Sequence, residues 1–175
     1  ESHPLKNVSV ALMDYHHTDF PDDSFDIVWA IESPCQSPNK PAFLREMYRI
    51  LKPGGRLVMA DYFMCENPRE KQLYFMQKWA HSWTLEAYAT HSEFMNGDMA
   101  AGFEQVYERD ITTNVLPSAR RLYRASLIGI PMAAVYNLLN PSVSEEGKRN
   151  VWSGYWQYRA LQLKAWSYKI LLFQK

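Results

Sequence analysis

Two carboxylates stand where apolar runs end. Asp14 closes Asn7 to Met13 (NVSVALM), and Glu32 follows Phe25 to Ile31 (FDIVWAI). In open α/β sheets, ligands gather at strand ends. A carboxylate there can accept an N–H from a ligand. Beside an apolar cavity its pKa rises, and it can hold or move a proton. The plainer alternatives are a turn-forming Asp and a loop-capping Glu. His16 and His17 lie close to Asp14 and Asp19, but adjacent residues point in different directions, so no metal site is expected. Cys35 and Cys65 lack metal-ligand spacing and read as buried or loop thiols. Met76, Trp79, Ala80 and Trp83 fall at i, i+3, i+4 and i+7, one face of a helix that is either core or pocket wall. The same alternative holds for Tyr123, Tyr136, Trp152, Tyr155 and Trp156.

The elements that must position these groups follow from periodicity. Asn7 to Met13 alternates and is expected to be a strand. Phe25 to Ile31 is almost continuously apolar, as in a strand buried on both faces of a parallel sheet. Asn39 is a fitting N-cap for an amphipathic helix to Leu51, whose inner face carries Phe43, Leu44, Met47 and Ile50. Lys52-Pro53-Gly54-Gly55 stops it, and Arg56 to Tyr62 reads as the next strand. Strand, helix and strand form a βαβ unit, so the two strands are expected to be parallel. Helices are expected around Met76 to Trp83 and over Glu86 to Ala101, then a strand over Phe103 to Ile111. Pro117 to Leu139 is helical in composition with a break near Gly129 to Pro131. Ser142 to Glu145 matches a capping box opening a helix to about Lys164. Tyr168 to Phe173 is expected to be a final, antiparallel strand. The fold class is α/β.

Composition narrows the function. Lys plus Arg equals Asp plus Glu at 19 each, so the net charge is zero. That argues against nucleic acid and against a polybasic membrane anchor. Hydrophobic residues at 47% and charged residues at 22% fit a globular chain rather than a disordered one. Two cysteines fit a reducing, cytoplasmic setting. Glu1 to Lys6 shows no secretory start. The longest apolar candidate, Leu127 to Leu139, is shorter than the ~18 to 20 residues of a membrane span. Aromatic residues reach 14%, enough for a large core, a large apolar pocket, or both.

Asp14…Phe20-Pro-Asp-Asp-Ser-Phe-Asp-Ile-Val-Trp-Ala-Ile-Glu-Ser, followed by Leu44-Arg-Glu-Met-Tyr-Arg-Ile-Leu-Lys-Pro-Gly-Gly-Arg-Leu, resembles the middle of a class I S-adenosylmethionine-dependent methyltransferase. The likeness is to the small-molecule group of sterol, tocopherol and ubiquinone-pathway enzymes. It implies a Rossmann-like sheet with an antiparallel last strand and a helical lid insertion, S-adenosylmethionine as cofactor, and a hydrophobic acceptor. Under it, Asp14 receives the adenine amino group beside Tyr15. Trp29, Ala30 and Ile31 flank the cofactor, and Glu32 holds or deprotonates the acceptor. Gln36 stands where sterol and tocopherol enzymes have His, and an amide cannot serve as base. Residues 68–101 and 117–165 become the acceptor segments, with Met76, Trp79, Trp83, Tyr123, Trp152 and Trp156 as pocket walls. The family's Gly-rich cofactor loop has no counterpart here. The expectation is therefore that residues 1–175 are the C-terminal portion of the domain, inactive alone. Plastid or membrane-peripheral placement and oligomeric state stay open. A non-catalytic lipid-binding or scaffolding module is the alternative. A nicotinamide-dependent reductase fits worse, for want of Gly-x-Gly-x-x-Gly.

Overall fold

The computed structural model describes residues 7–86 and 88–175. The opening hexapeptide, read above for a secretory signal, and Ala87, inside a stretch expected to be helical, lie outside the described residues. Among the described residues four strands form one sheet: β1 (Phe25–Ile31), β2 (Leu51–Met64), β3 (Glu104–Asp110) and β4 (Trp166–Gln174), in the order β1-β2-β4-β3. β1 and β2 are parallel, and β4 runs antiparallel to both β2 and β3. The expected α/β class, parallel pair and antiparallel closing strand are all present.

Helix α1 (Lys40–Ile50) makes the parallel crossover. Asn39 caps it, its side-chain oxygen accepting the Ala42 N–H at 3.0 Å. Phe43, Leu44, Met47 and Ile50 are buried against Leu57, Met59, Leu171 and Phe173 on one sheet face, joined by Phe94 from α3 (His91–Ala101). Beyond α1 the chain turns at Gly54, whose φ is +76°. At Gly55 a Cβ would sit 2.8 Å from the Lys52 carbonyl oxygen, which only glycine avoids.

The other face is covered at one end only. There α2 (Glu70–Ser82) and α6 (Ser153–Gln162) bury Phe75, Met76, Trp79, Ala80 and Ala160 against Trp166 and Tyr168. Outside them lie α4 (Thr112–Leu139) and α5 (Glu145–Asn150). At the opposite end nothing among the described residues covers the sheet, and Ile27, Trp29 and Ile31 are exposed.

Four sequence expectations need correction. Asn7 to Met13 forms no ladder among the described residues, where Val10 and Leu12 are fully exposed; alternation becomes a strand only with a neighbour to bond. Among the described residues β1 lies at the sheet edge with one face exposed, rather than buried on both. α4 runs unbroken through Pro117 and Pro131; Pro131 lies on its solvent side, where the carbonyl it deprives of an N–H can bond water. The helix expected from Ser142 to Lys164 is two, opened by Ser144, whose hydroxyl accepts the Gly147 N–H at 3.1 Å.

One buried network ties the loop before β1 to the frame. Glu46, 6% exposed, accepts the Thr18 N–H and hydroxyl at 2.8 and 2.6 Å and the Arg49 guanidinium at 2.9 and 2.7 Å. The guanidinium, with the Thr18 donors, holds the Glu46 carboxyl down at about 2.

Candidate functional site

Chemistry gathers at the C-terminal ends of β1 and β2. Glu32 leaves β1 with φ +51°, a left-handed conformation unfavourable to a side chain. It is held there: its N–H donates to the Ala60 carbonyl at 2.9 Å. Its Oε1 accepts the hydroxyls of Tyr62 at 3.1 Å and Tyr168 at 3.0 Å. The two tyrosines face each other across the β2–β4 register. Burial and then the Glu32 charge push both phenols well above their usual range, so both stay donors. Backbone strain at a strand end, stabilised by two cross-strand hydroxyls, is the pattern of a functional residue. On the same sheet face Trp29 is 76% and Ile31 57% exposed among the described residues, an apolar surface beside Glu32.

Behind Glu32, the one-turn 3-10 helix Pro34–Gln36 is pinned by Asp61. Asp61 is 2% exposed; its carboxylate accepts the Cys35 N–H at 2.7 Å and its neighbour Tyr62's N–H at 2.8 Å. Burial outweighs these bonds and pushes its pKa up to about 6. Burial also pushes the Cys35 thiol up, so it is an inert thiol. The Lys40 ammonium donates to the Cys35 and Ser37 carbonyls. Because folded Asp61 binds its proton more tightly than unfolded Asp, its contribution to stability is greatest at low pH and is lost as pH rises toward 6. The native chain is expected to lose about 1 kcal/mol per pH unit between pH 4 and 6 relative to Asp61→Asn. Urea unfolding across that range checks this; parallel stability curves for the two proteins would contradict it.

A cavity of about 480 Å³ opens beside this turn, lined by Cys35, Gln36, Lys40, Leu85, Tyr88 and Glu93 among others. That volume suits a small-molecule ligand. The buried Tyr88 hydroxyl has no partner among the described residues, which leaves a donor beside the cavity. Gln36 is exposed at its rim.

Asp14 and Tyr15 lie on the turn before β1. The Asp14 carboxylate accepts the His16 N–H at 2.8 Å and contacts its Nδ1 at 2.7 Å; His16 Nε2 meets the Ser37 hydroxyl at 2.8 Å. The His16 backbone N–H, then its ring, hold the Asp14 carboxyl below its usual range. Tyr15 packs edge-on against Phe43, ring centroids 5.6 Å apart. His16 therefore fastens Asp14 to the Pro34–Gln36 turn, a positioning role that the sequence reading missed.

Known proteins converge on this architecture. A family model described as a methyltransferase domain matches residues 1–59. The chain is 36% identical over 106 residues to the 2-methyl-6-phytyl-1,4-hydroquinone methyltransferase of Synechocystis sp., covering 57% of this chain and 33% of that protein. It is 43% identical over 60 residues to the sterol 24-C-methyltransferase of Eremothecium gossypii, 34% of this chain and 16% of that protein. The chain thus spans about a third or less of the length of these curated relatives. Among solved structures, geranyl diphosphate C-methyltransferase from Streptomyces coelicolor, in complex with magnesium, geranyl diphosphate and S-adenosyl-L-homocysteine, superposes with a TM-score of 0.61 at 16% identity over 94% of this chain and 52% of that one. The cyclase SpnF superposes at 0.65 and 20% identity over 94% and 54%. At such identities the superpositions establish the fold alone, a Rossmann-like α/β sheet.

Set on that sheet, the sequence-derived site residues divide. Glu32, Trp29 and Ile31 come together, and Gln36 reaches the adjoining cavity. The Ala30 side chain is buried under α1, so only its backbone is available to a ligand. The six expected acceptor residues do not line the cavity beside Cys35. Trp79 is 0% and Met76 2% exposed; they are core, because α2 is pressed between the sheet and α6. Trp83 borders a separate hollow between α4 and α6. Trp152 and Trp156 stack at 5.6 Å and line a hollow against α2. Tyr123 lies against Tyr158 at 4.7 Å. Tyr62, Tyr168, Asp61 and Tyr88 were missed. For Tyr62 and Tyr168 the signal is cross-strand register, which no local pattern in the sequence carries.

Proposed function

We propose that the protein carrying this chain transfers a methyl group from S-adenosylmethionine to a hydrophobic small molecule bearing a hydroxyl or an electron-rich ring or alkene. The candidates are a prenylated quinol or chromanol, a sterol or a terpenoid. The observation that carries the reading is the Glu32 carboxylate, held in a strained conformation by two tyrosine hydroxyls at the rim of an exposed apolar floor. S-Adenosylmethionine supplies an electrophilic methyl on a sulfonium. The residues here fit such a group. Trp29 and Ile31 offer an apolar surface, and Asp14, whose second carboxylate oxygen makes no hydrogen bond among the described residues, can accept an amino N–H. Glu32 then receives a proton from, or orients, the acceptor, and the Tyr62 and Tyr168 hydroxyls keep its carboxylate fixed. Methyl transfer depends chiefly on alignment, so a fixed carboxylate is worth more here than a mobile one.

The full-length gene product, incubated with labelled S-adenosylmethionine and a panel of prenylated quinols, sterols and terpenoid diphosphates, is expected to methylate at least one of them. Calorimetry is expected to show donor binding. No labelled product from any acceptor class, together with no donor binding, would overturn the reading in favour of a non-catalytic ligand-binding module.

A further inference from the structure

The most conspicuous surface outside the site is α4. From Ala125 to Ser144 the sequence holds no charged residue, and α4 itself contains no Asp or Glu. By length and composition it is long and apolar enough to cross a membrane, although the shorter run Leu127 to Leu139 suggested otherwise. It does not stand free, however. Ala119 and Ser126 are buried, and Tyr123, Ile130, Ala133 and Asn137 continue the same stripe, half-buried on the α5–α6 side. The rest of its circumference is open: Ile128 is 66%, Met132 67%, Leu138 81% and Leu139 74% exposed. A helix docked along one side cannot be surrounded by lipid, but it can lie in an interface.

Charge placement says what covers it. At about 100° per residue, Arg120, Arg121 and Arg124 fall on the same side as Leu127, Ile128, Val135 and Leu138. All three arginines are exposed, and none enters an ion pair among the described residues. One face therefore presents three unpaired guanidiniums and then about 22 Å of apolar surface. A second copy docked through this face would bring no acid from its own α4 to meet the arginines. Phosphate headgroups beside acyl chains match both halves at once, the guanidiniums at headgroup level and the apolar end below it.

We propose that the exposed face of α4 seats this protein on an anionic lipid bilayer, Arg120, Arg121 and Arg124 meeting lipid phosphates and the Leu127–Leu139 stretch entering the acyl region. This inference stands independently of the methyl-transfer reading.

Flotation of the intact protein with vesicles tests it. The protein is expected to rise with phosphatidylcholine vesicles containing phosphatidylserine, and far less with phosphatidylcholine alone. Replacing the three arginines by Gln is expected to lower partition onto the anionic vesicles about a hundredfold. Ile128→Glu with Leu138→Glu is expected to abolish it. All these positions are exposed, so far-ultraviolet circular dichroism should be unchanged. Native protein that stays in solution with both vesicle types overturns the proposal. So does a double-Glu variant that floats like the native protein, and so does a dimer, dispersed by the same substitutions, that shows no vesicle binding.

Discussion

For the proposed methyl transfer, Glu32→Gln is expected to reduce kcat by about a hundredfold or more, the scale of losing a positioned acid–base group, while leaving the fold intact. The substitution is nearly isosteric. The amide oxygen can still accept the hydroxyls of Tyr62 and Tyr168, which now sit 3.1 and 3.0 Å from Oε1. What disappears is the negative charge and its ability to take a proton. Gln tolerates the left-handed backbone no worse than Glu, so unfolding midpoints of the two proteins should coincide. Tyr62→Phe and Tyr168→Phe remove one donor each while leaving the carboxylate. Each is expected to cost about tenfold, the value of one hydrogen bond to a charged group. The combined losses are expected to be non-additive, because the three residues act as one unit. A Glu32→Gln enzyme with native kcat would show that the carboxylate is a structural plug and would move the chemistry to the cavity at Tyr88.

Trp79→Ala carries the largest expected effect on stability, about 3 to 5 kcal/mol. Trp79 is completely buried. It stacks on Tyr88 at 4.4 Å, meets Tyr62 edge-on at 5.0 Å and lies 5.4 Å from Trp166. Removing the indole opens a void where α2, β2 and β4 meet, and the surrounding rings are too rigid to collapse into it. Denaturant titration reads the loss directly. The outcome also separates two roles. If Trp79 lined an acceptor pocket, its removal would raise KM and leave the unfolding midpoint nearly unchanged. The structure predicts the reverse order of effects, with stability falling first and activity following because Tyr62 and Tyr88 lose their backing.

The contrast between Trp79 and Glu32 shows what could be read in the residues alone. The βαβ unit was legible because its signals are local: an apolar run, Asn39 as cap, a 3.6-residue stripe and a Gly-Gly stop. Glu32 was legible as a strand-end carboxylate. The spacing of Met76, Trp79 and Trp83 correctly gave a helix with an aromatic face, but helical period cannot tell whether that face meets protein or ligand. Contact with α6, more than seventy residues further along, decided it for Met76 and Trp79. The strand expected at Asn7 to Met13 has no ladder among the described residues: alternation describes a face, whereas a strand also needs a neighbour to bond. Tyr168 lies 136 residues from Glu32 and could be joined to it only through the β2–β4 register.

The strand order has a consequence for synthesis. β4 comes last of the four in the sequence yet occupies an interior place, with β2 on one side and β3 on the other. Until residues 166–174 have left the ribosome, β3 has no strand to bond, one edge of β2 stays open, and Glu32 has only one of its two tyrosines. The nascent chain must keep aromatic, edge-exposed intermediates soluble while more than a hundred residues between β2 and β4 are made, and pairings so distant in sequence form slowly. A premature stop even a few codons before Trp166 would thus remove the interior of the sheet rather than trim its margin.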